Sequence, residues 1–314
     1  MEYRRLGRSD LQVSVISLGC WPFSGGMWGA VDDNDSIATV HWCLDHGVSF
    51  LDTAEAYGDG RSEEVVGRAL KGRRDKAIVA TKVSHDYSKE GVMKAAAGSL
   101  RRLQTDYIDL YQIHGPSSQV PFSETMEALL KLKEQGKIRC IGVSNFDVPQ
   151  MKEALESARF DSLQPPYSLL WRHIEDDILP FCRENEIGVI AYSPLVQGLL
   201  TGKFTKESKL PEGDVRNRCV LFKGEAFERS LEVVEALRKI AKAHGKTIGQ
   251  AALNWLIAQP GVTSAIVGAK RPSQIEENAG AADWRLTDDE IEQLRRLSEP
   301  VMALVKNEKW MWKW

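Results

Sequence analysis

Four residues of complementary chemistry stand at the ends of three consecutive apolar runs: Asp52, Tyr57, Lys82 and His114. A phenol titrates near pH 10, too high to give up its proton readily at neutral pH. An ammonium within a few ångströms favours the phenolate and is expected to bring the Tyr57 pKa down. A carboxylate paired to Lys82 would keep that ammonium charged and in place. The result is a general acid able to protonate an oxygen as negative charge develops on it. An imidazole N–H beside the same oxygen would orient a carbonyl and help stabilise the alkoxide. With a hydride donor present, this set is suited to carbonyl reduction.

Other chemistries find less support. None of the six histidines forms an HxH pair, and no zinc-ligand spacing occurs, so no metal is expected. There is no GxSxG elbow for a nucleophilic serine. No GxGxxG follows a predicted strand, and GLLTGK at 198–203 is one residue short of a Walker A loop, so a dinucleotide would need a different kind of seat.

Short apolar runs over 13–18, 48–51, 77–80, 107–113, 138–143, 161–163, 188–191 and 263–267 read as eight strands. They do not alternate polar with apolar, as suits a parallel sheet covered on both faces. Between them, apolar residues recur at helical spacing over 35–45, 62–70, 90–103, 123–135, 148–158 and 174–186. Eight such units predict an α/β fold, a closed (β/α)₈ TIM barrel, whose polar strand ends gather at one face. The chain is expected to form one domain, 1–314. A long insertion, 199–262, follows the seventh strand and carries helices over 226–243 and 248–259. Thr287 with Glu290 predicts a capping box opening a last helix over 288–297. In the C-terminal tail, 299–314, Trp310, Trp312 and Trp314 would share one face if extended, over a substrate mouth or a neighbouring subunit.

The 314 residues are 43% hydrophobic and 27% charged, the profile of a folded globular chain. Lys+Arg 41 against Asp+Glu 44 leaves a net charge of -3, no electrostatic footprint for nucleic acid or an anionic membrane. The start, MEYRRLGRSD, lacks the apolar core of a signal peptide, and the five scattered cysteines fit no disulfide framework. A cytoplasmic protein is expected.

Several segments occur in an order that resembles the aldo-keto reductase family from residue 18 to about 284. They are LDTAEAYG with EEVVGRAL, the strand-end Lys82, QIHGP, IRCIGVSNF, YSPL and VGAKRPSQIEEN. The resemblance implies a (β/α)₈ barrel binding NADPH along its carboxyl-terminal rim without a Rossmann domain. It also implies a catalytic tetrad of Asp52, Tyr57, Lys82 and His114. Ser144, Asn145 and Gln164 would hold the nicotinamide carboxamide, and Tyr192 would stack on the ring. Ser193, Pro194, Leu195, Gln197, Gly198 and Leu199, with Lys203, would form the pyrophosphate loop. After the last strand, Gly268, Lys270 and Arg271 open a helix whose amino terminus suits a 2'-phosphate, Lys270 being the better placed. Gln274, Glu277 and Asn278 would meet the adenosine.

Gly115 follows His114 where many family members carry a bulky aromatic, which resembles the branch of bacterial reductases and potassium-channel β-subunits. That branch leaves a second reading open, a slow-turnover NADPH-binding sensor subunit. Trp21, Phe23, Trp28 and Tyr87, with Cys20, are expected to line an apolar pocket for a small carbonyl substrate. A homo-oligomer through the tryptophan-rich tail is a further expectation.

Overall fold

The computed structural model describes residues 1–26 and 29–312. Trp28, expected in the pocket, and Trp314 of the tail lie outside the described residues. An antiparallel hairpin, β1 (Tyr3–Arg5) with β2 (Gln12–Ser14), comes first. Eight strands then close a parallel barrel: β3 (Ile16–Gly19), β4 (Phe50–Asp52), β5 (Ile78–Val83), β6 (Ile108–Ile113), β7 (Ile138–Ser144), β8 (Ser162–Gln164), β9 (Gly188–Tyr192) and β10 (Val262–Gly268). The helices outside it are α1 (Asp33–Asp45), α2 (Arg61–Ala69), α3 (Lys89–Leu103), α4 (Phe122–Glu134), α5 (Val148–Ser157), α6 (Ile178–Glu184), α7 (Gly224–Ala243), α8 (Ile248–Ile257), α9 (Pro272–Ala279) and α10 (Asp288–Val305). The closed (β/α)₈ barrel is the architecture the repeat predicts, with the long insertion between β9 and β10 carrying α7 and α8.

Three elements depart most from the sequence reading. The run 13–18 is not one strand. Val15 donates its N–H to Glu2 of the hairpin and accepts at its carbonyl from Ala265 of β10, so the chain changes partners there. The helix expected over 174–186 begins only at Ile178, where the Asp177 side chain accepts from the first helical N–H. The last helix runs to Val305 through Pro300. Its buried face of Leu294, Ser298, Val301 and Val305 packs along α7, which offsets the hydrogen bond a proline cannot make. Thr287 and Glu290 form the expected capping box.

The strand period of two explains how the barrel positions its chemistry. Phe50, Ala80, Leu110, Cys140, Ile190 and Ile266 form an apolar cluster with Leu6, Leu11 and Val13 of the hairpin, which plugs the amino-terminal end. Two residues further along the same strands, on the same face, come Asp52, Lys82, Gln112, Gly142, Tyr192 and Gly268. The intervening residues, among them Leu51, Val79, Tyr111, Ile141 and Val189, pack outward in the main core against the helices. The inner face is thus apolar at its base and polar at its rim.

Candidate active site

Lys82 is fully buried, and its three N–H donors have three acceptors: Asp52 Oδ1 at 2.7 Å, the Thr53 carbonyl at 2.7 Å and the Tyr57 hydroxyl at 3.3 Å. Its ammonium also lies 4.9 Å from the centre of the Tyr57 ring. Burial would lower the Lys82 pKa, but the charges of Asp52 and Tyr57 and their hydrogen bonds leave it raised. Tyr57 departs from expectation. Burial pushes the phenol up, Lys82 pulls it back only in part, and the net shift is upward. Tyr57 is therefore firmly protonated at neutral pH. Removal from water costs the phenolate more than one neighbouring ammonium returns.

Tyr57 sits between two rings, Trp21 stacked at 5.9 Å and His114 edge-on at 5.7 Å. His114 Nδ1 is 2.7 Å from Ser84 Oγ. Burial, then the charges of Lys82 and His85, lower the imidazole pKa to about 3, so it is neutral.

Gln112 was absent from the sequence reading. Its Nε2 donates to Asp52 Oδ2 at 3.3 Å, and its Oε1 accepts from Gln164 Nε2 at 3.3 Å. Gln164 Nε2 also donates to Asp52 Oδ2, at 2.8 Å. A Cβ at Gly142, on the neighbouring strand, would come within 2.9 Å of Gln112 Cγ, so glycine there leaves the amide its room. The signal was present in the period: Gln112 lies two residues before His114, inside a run that otherwise reads as apolar.

Ser144 Oγ donates to the Gln164 carbonyl at 2.8 Å. Asn145, with φ at 62°, reaches Ser144 Oγ and the His114 carbonyl through Nδ2 and accepts at Oδ1 from the Tyr192 hydroxyl at 2.9 Å. These residues of three strands are brought together at one rim.

Next along the rim, the chain over Leu195, Val196 and Gln197 makes a tight turn after Pro194. Ser193, Val196 and Gln197 have positive φ, and Gln197 Nε2 donates to Ser193 Oγ. A Cβ on Gly198 would fall 2.5 Å from Lys203 Nζ, so the ammonium sits where only glycine admits it. Lys203 Nζ and the Arg216 guanidinium both lie over the Phe204 ring, at 5.2 and 5.4 Å. Burial first, then the charges of Arg216 and Arg271, lowers the Lys270 pKa, as expected of clustered cations. Arg216, anchored on Asp214, is a second residue the sequence reading missed, because its loop has no period to reveal it. Beyond Gly268, Pro272 takes the first turn of α9, and the Lys270 N–H donates to Gln274 Oε1 at 2.7 Å. Arg271 and Glu277 are exposed, whereas Asn278 is buried.

A cleft of about 610 Å³ opens beside Asn145 and Tyr192, and its other wall is the tail, from Glu308 to Trp312. The tail is seated by Val220, whose N–H donates to the Met311 carbonyl, and by a bridge between Cys219 and Trp312. Trp312 is buried and Trp310 exposed, so the tail does not present the two as one exposed stripe. Of the expected pocket residues, Trp21 lies against Tyr57, and burial raises the Tyr87 phenol, hydrogen-bonded to the Gly115 backbone, to about 12. Phe23 corrects the expectation: it is fully buried in the main core. Cys20 is also fully buried, but beside the site, its N–H donating to the Asp52 carbonyl at 2.8 Å. Among the described residues no cluster could hold a metal ion, and no helix is long and apolar enough to cross a membrane.

The model of the aldo/keto reductase family matches residues 15–299. The aldo-keto reductase YhdN of Bacillus subtilis is 40% identical over 96% of this chain and 95% of its own. The NADH-specific methylglyoxal reductase of Escherichia coli is 35% identical over 94% and 97%. Among solved structures, the glycerol dehydrogenase of Gluconobacter oxydans superposes with a TM-score of 0.88 at 36% identity, covering 96% and 95% of the two chains. An aldo-keto reductase of Klebsiella pneumoniae in complex with NADPH gives 0.79 at 34%, covering 100% and 99%. With barrel, rim and relatives in agreement along nearly its whole length, the chain belongs to the aldo/keto reductase family.

Proposed function

We propose that the protein reduces the carbonyl of a small aldehyde or ketone to an alcohol, with NADPH as the donor. The observation that carries this reading is the Tyr57 hydroxyl 3.3 Å from Lys82 Nζ, which Asp52 holds in place. Burial, raising the phenol, favours its protonated form. Bound along the rim, NADPH would supply the hydride. Tyr57 donates its proton to the carbonyl oxygen as charge builds there, and Lys82 stabilises the phenolate left behind. Asp52, fixed by Gln112 and Gln164, holds the ammonium in place. His114, neutral, offers an N–H to the same oxygen.

The cofactor fits the residues present. Ser144, Asn145 and Gln164 stand beside Tyr192 to take a carboxamide and a ring, and Gln164, its Nε2 engaged by Asp52, has Oε1 for the amide. The positive-φ turn from Ser193 through Pro194, Leu195, Gln197 and Gly198 sets backbone close to a pyrophosphate. Gln197 Oε1, buried without a partner among the described residues, leaves an acceptor in the same turn for a bound group. Lys203, Arg216 and Lys270 give the cation density a 2'-phosphate requires, with Arg271, Gln274, Glu277 and Asn278 towards the adenosine. NADPH is favoured over NADH on that cluster.

Tail residues 308–312 wall the substrate cleft, and exposed Trp310 is the surface left for a second copy of the chain. The apolar character of Trp21, Met311 and Trp312 favours substrates with hydrophobic bodies, in a cytoplasmic protein. An absorbance assay of NADPH and NADH against aldehydes, ketones and sugars tests the reading. NADPH-linked turnover of hydrophobic aldehydes is expected, and no turnover of any carbonyl with either nucleotide would overturn it.

A further inference from the structure

Ser84 lies outside the set of residues that touch substrate or cofactor in this reading, yet the barrel places it with unusual definition. The register pairs Lys82 of β5 with Gln112 of β6. Two residues beyond each, Ser84 and His114 meet on the same face, with Ser84 Oγ 2.7 Å from His114 Nδ1. The Ser84 N–H donates to Glu55 Oε1 at 2.7 Å, and Glu55 belongs to the loop that carries Tyr57. Glu55 thus clamps Ser84, and Ser84 meets the imidazole.

We propose that Ser84 is a positioning residue that fixes the tautomer of His114, donating its hydroxyl proton to Nδ1 so that the ring proton stays on Nε2. A neutral imidazole carries one N–H, and the hydrogen bond at one nitrogen decides which. Among the described residues, Ser84 Oγ has no other hydrogen-bond partner, and Nε2 has none. With Nδ1 as acceptor, the hydroxyl proton is satisfied and Nε2–H is presented to the cleft. With the opposite tautomer, the hydroxyl proton would lack a protein acceptor, and a carbonyl oxygen entering the site would meet a lone pair instead of a donor. The neutrality on which this depends follows from burial beside the Lys82 ammonium.

The inference rests on the reading of His114 as the donor that orients the substrate, so its test separates the two. Nitrogen NMR of the full-length protein labelled at histidine reads the tautomer directly, with His114 assigned by the loss of its signals in His114→Gln. The parent is expected to show Nε2 protonated and Nδ1 bare, and Ser84→Ala to show a mixture or the reverse. In steady state, Ser84→Ala is expected to lose about ten- to a hundredfold in kcat, as when an outer partner of a ligating histidine is removed, with NADPH affinity unchanged. A parent spectrum with Nδ1 protonated would overturn the proposal, as would Ser84→Ala with the parent's tautomer pattern, whatever its kcat. His114→Gln with the parent's kcat would overturn the catalytic role of His114, while the spectrum would still decide what Ser84 does.

Discussion

Asp52 and Lys82 form an ion pair 2.7 Å long in which the lysine side chain has no solvent exposure and the aspartate 3%. An ion pair so deep is weak evidence of net stabilisation, but removing one partner strands a charge. Asp52→Ala is therefore expected to cost about 3–5 kcal/mol of folding stability, and the double change with Lys82→Met to recover part of it. Denaturant unfolding of the three proteins measures this. Equal stability of Asp52→Ala and the parent would mean that water reaches the pair.

The pH dependence of stability has a definite sign. His114 titrates near 3 in the folded protein against an ordinary 6.5, so the unfolded chain takes up that proton first. Stability is then lost as pH falls from about 6.5 towards 3, and His114→Gln should flatten this part of the curve. Lys82 and Tyr57 both have raised values. Raised Lys82 holds its contribution below the ordinary lysine range and gives it up as pH climbs through its folded value. Raised Tyr57 loses stability above pH 10, where the unfolded phenol ionises first. For activity, the acid must keep its proton, so the alkaline limb of kcat should lie above pH 10, and a limb near 7 would contradict the Tyr57 shift.

Gln112 supplies a graded test of Asp52. Gln112→Leu removes one donor and is expected to lower kcat several-fold, in line with about 1 kcal/mol for a buried hydrogen bond. Gln112→Glu puts a second carboxylate beside Asp52 and should lower it further. Both are read in kcat, with nucleotide binding followed by fluorescence as the control.

Arg216→Ala should weaken NADPH about ten- to a hundredfold while changing NADH little, the scale of a lost charge-assisted hydrogen bond. Titration calorimetry with the two nucleotides measures the difference. Equal losses would place Arg216 on the pyrophosphate shared by both.

The tail offers another handle. Deleting residues 309–314 opens the cleft and is expected to raise KM for hydrophobic aldehydes, and sedimentation of the same variant reports whether Trp310 joins two chains.

How much of this was legible beforehand follows from period. Asp52, Lys82, His114, Gln164 and Tyr192 each end an apolar run, and a barrel gathers strand ends at one rim, so the polar set could be read from the chain. Gln112 and Ser84 obey the same two-residue rule but were passed over, Gln112 because it lies inside an apolar run. Arg216 sits in the long connection between β9 and α7, in a short turn capped by Asp214, where no strand or helix period reveals it. Phe23 was misplaced because an aromatic residue after a strand end reads alike whether it turns to the core or to the cleft. The upward shift of Tyr57 was missed because desolvation depends on everything packed around the phenol, and charge counting sees only its neighbour.

Single-turnover oxidation of bound NADPH by an aldehyde, in the parent and in Tyr57→Phe, addresses the proton donor most directly. A loss of about a hundred- to ten-thousandfold in the rate of that step, with NADPH affinity unchanged, is the expected result. A Tyr57→Phe protein that transfers hydride at the parent's rate would contradict the account.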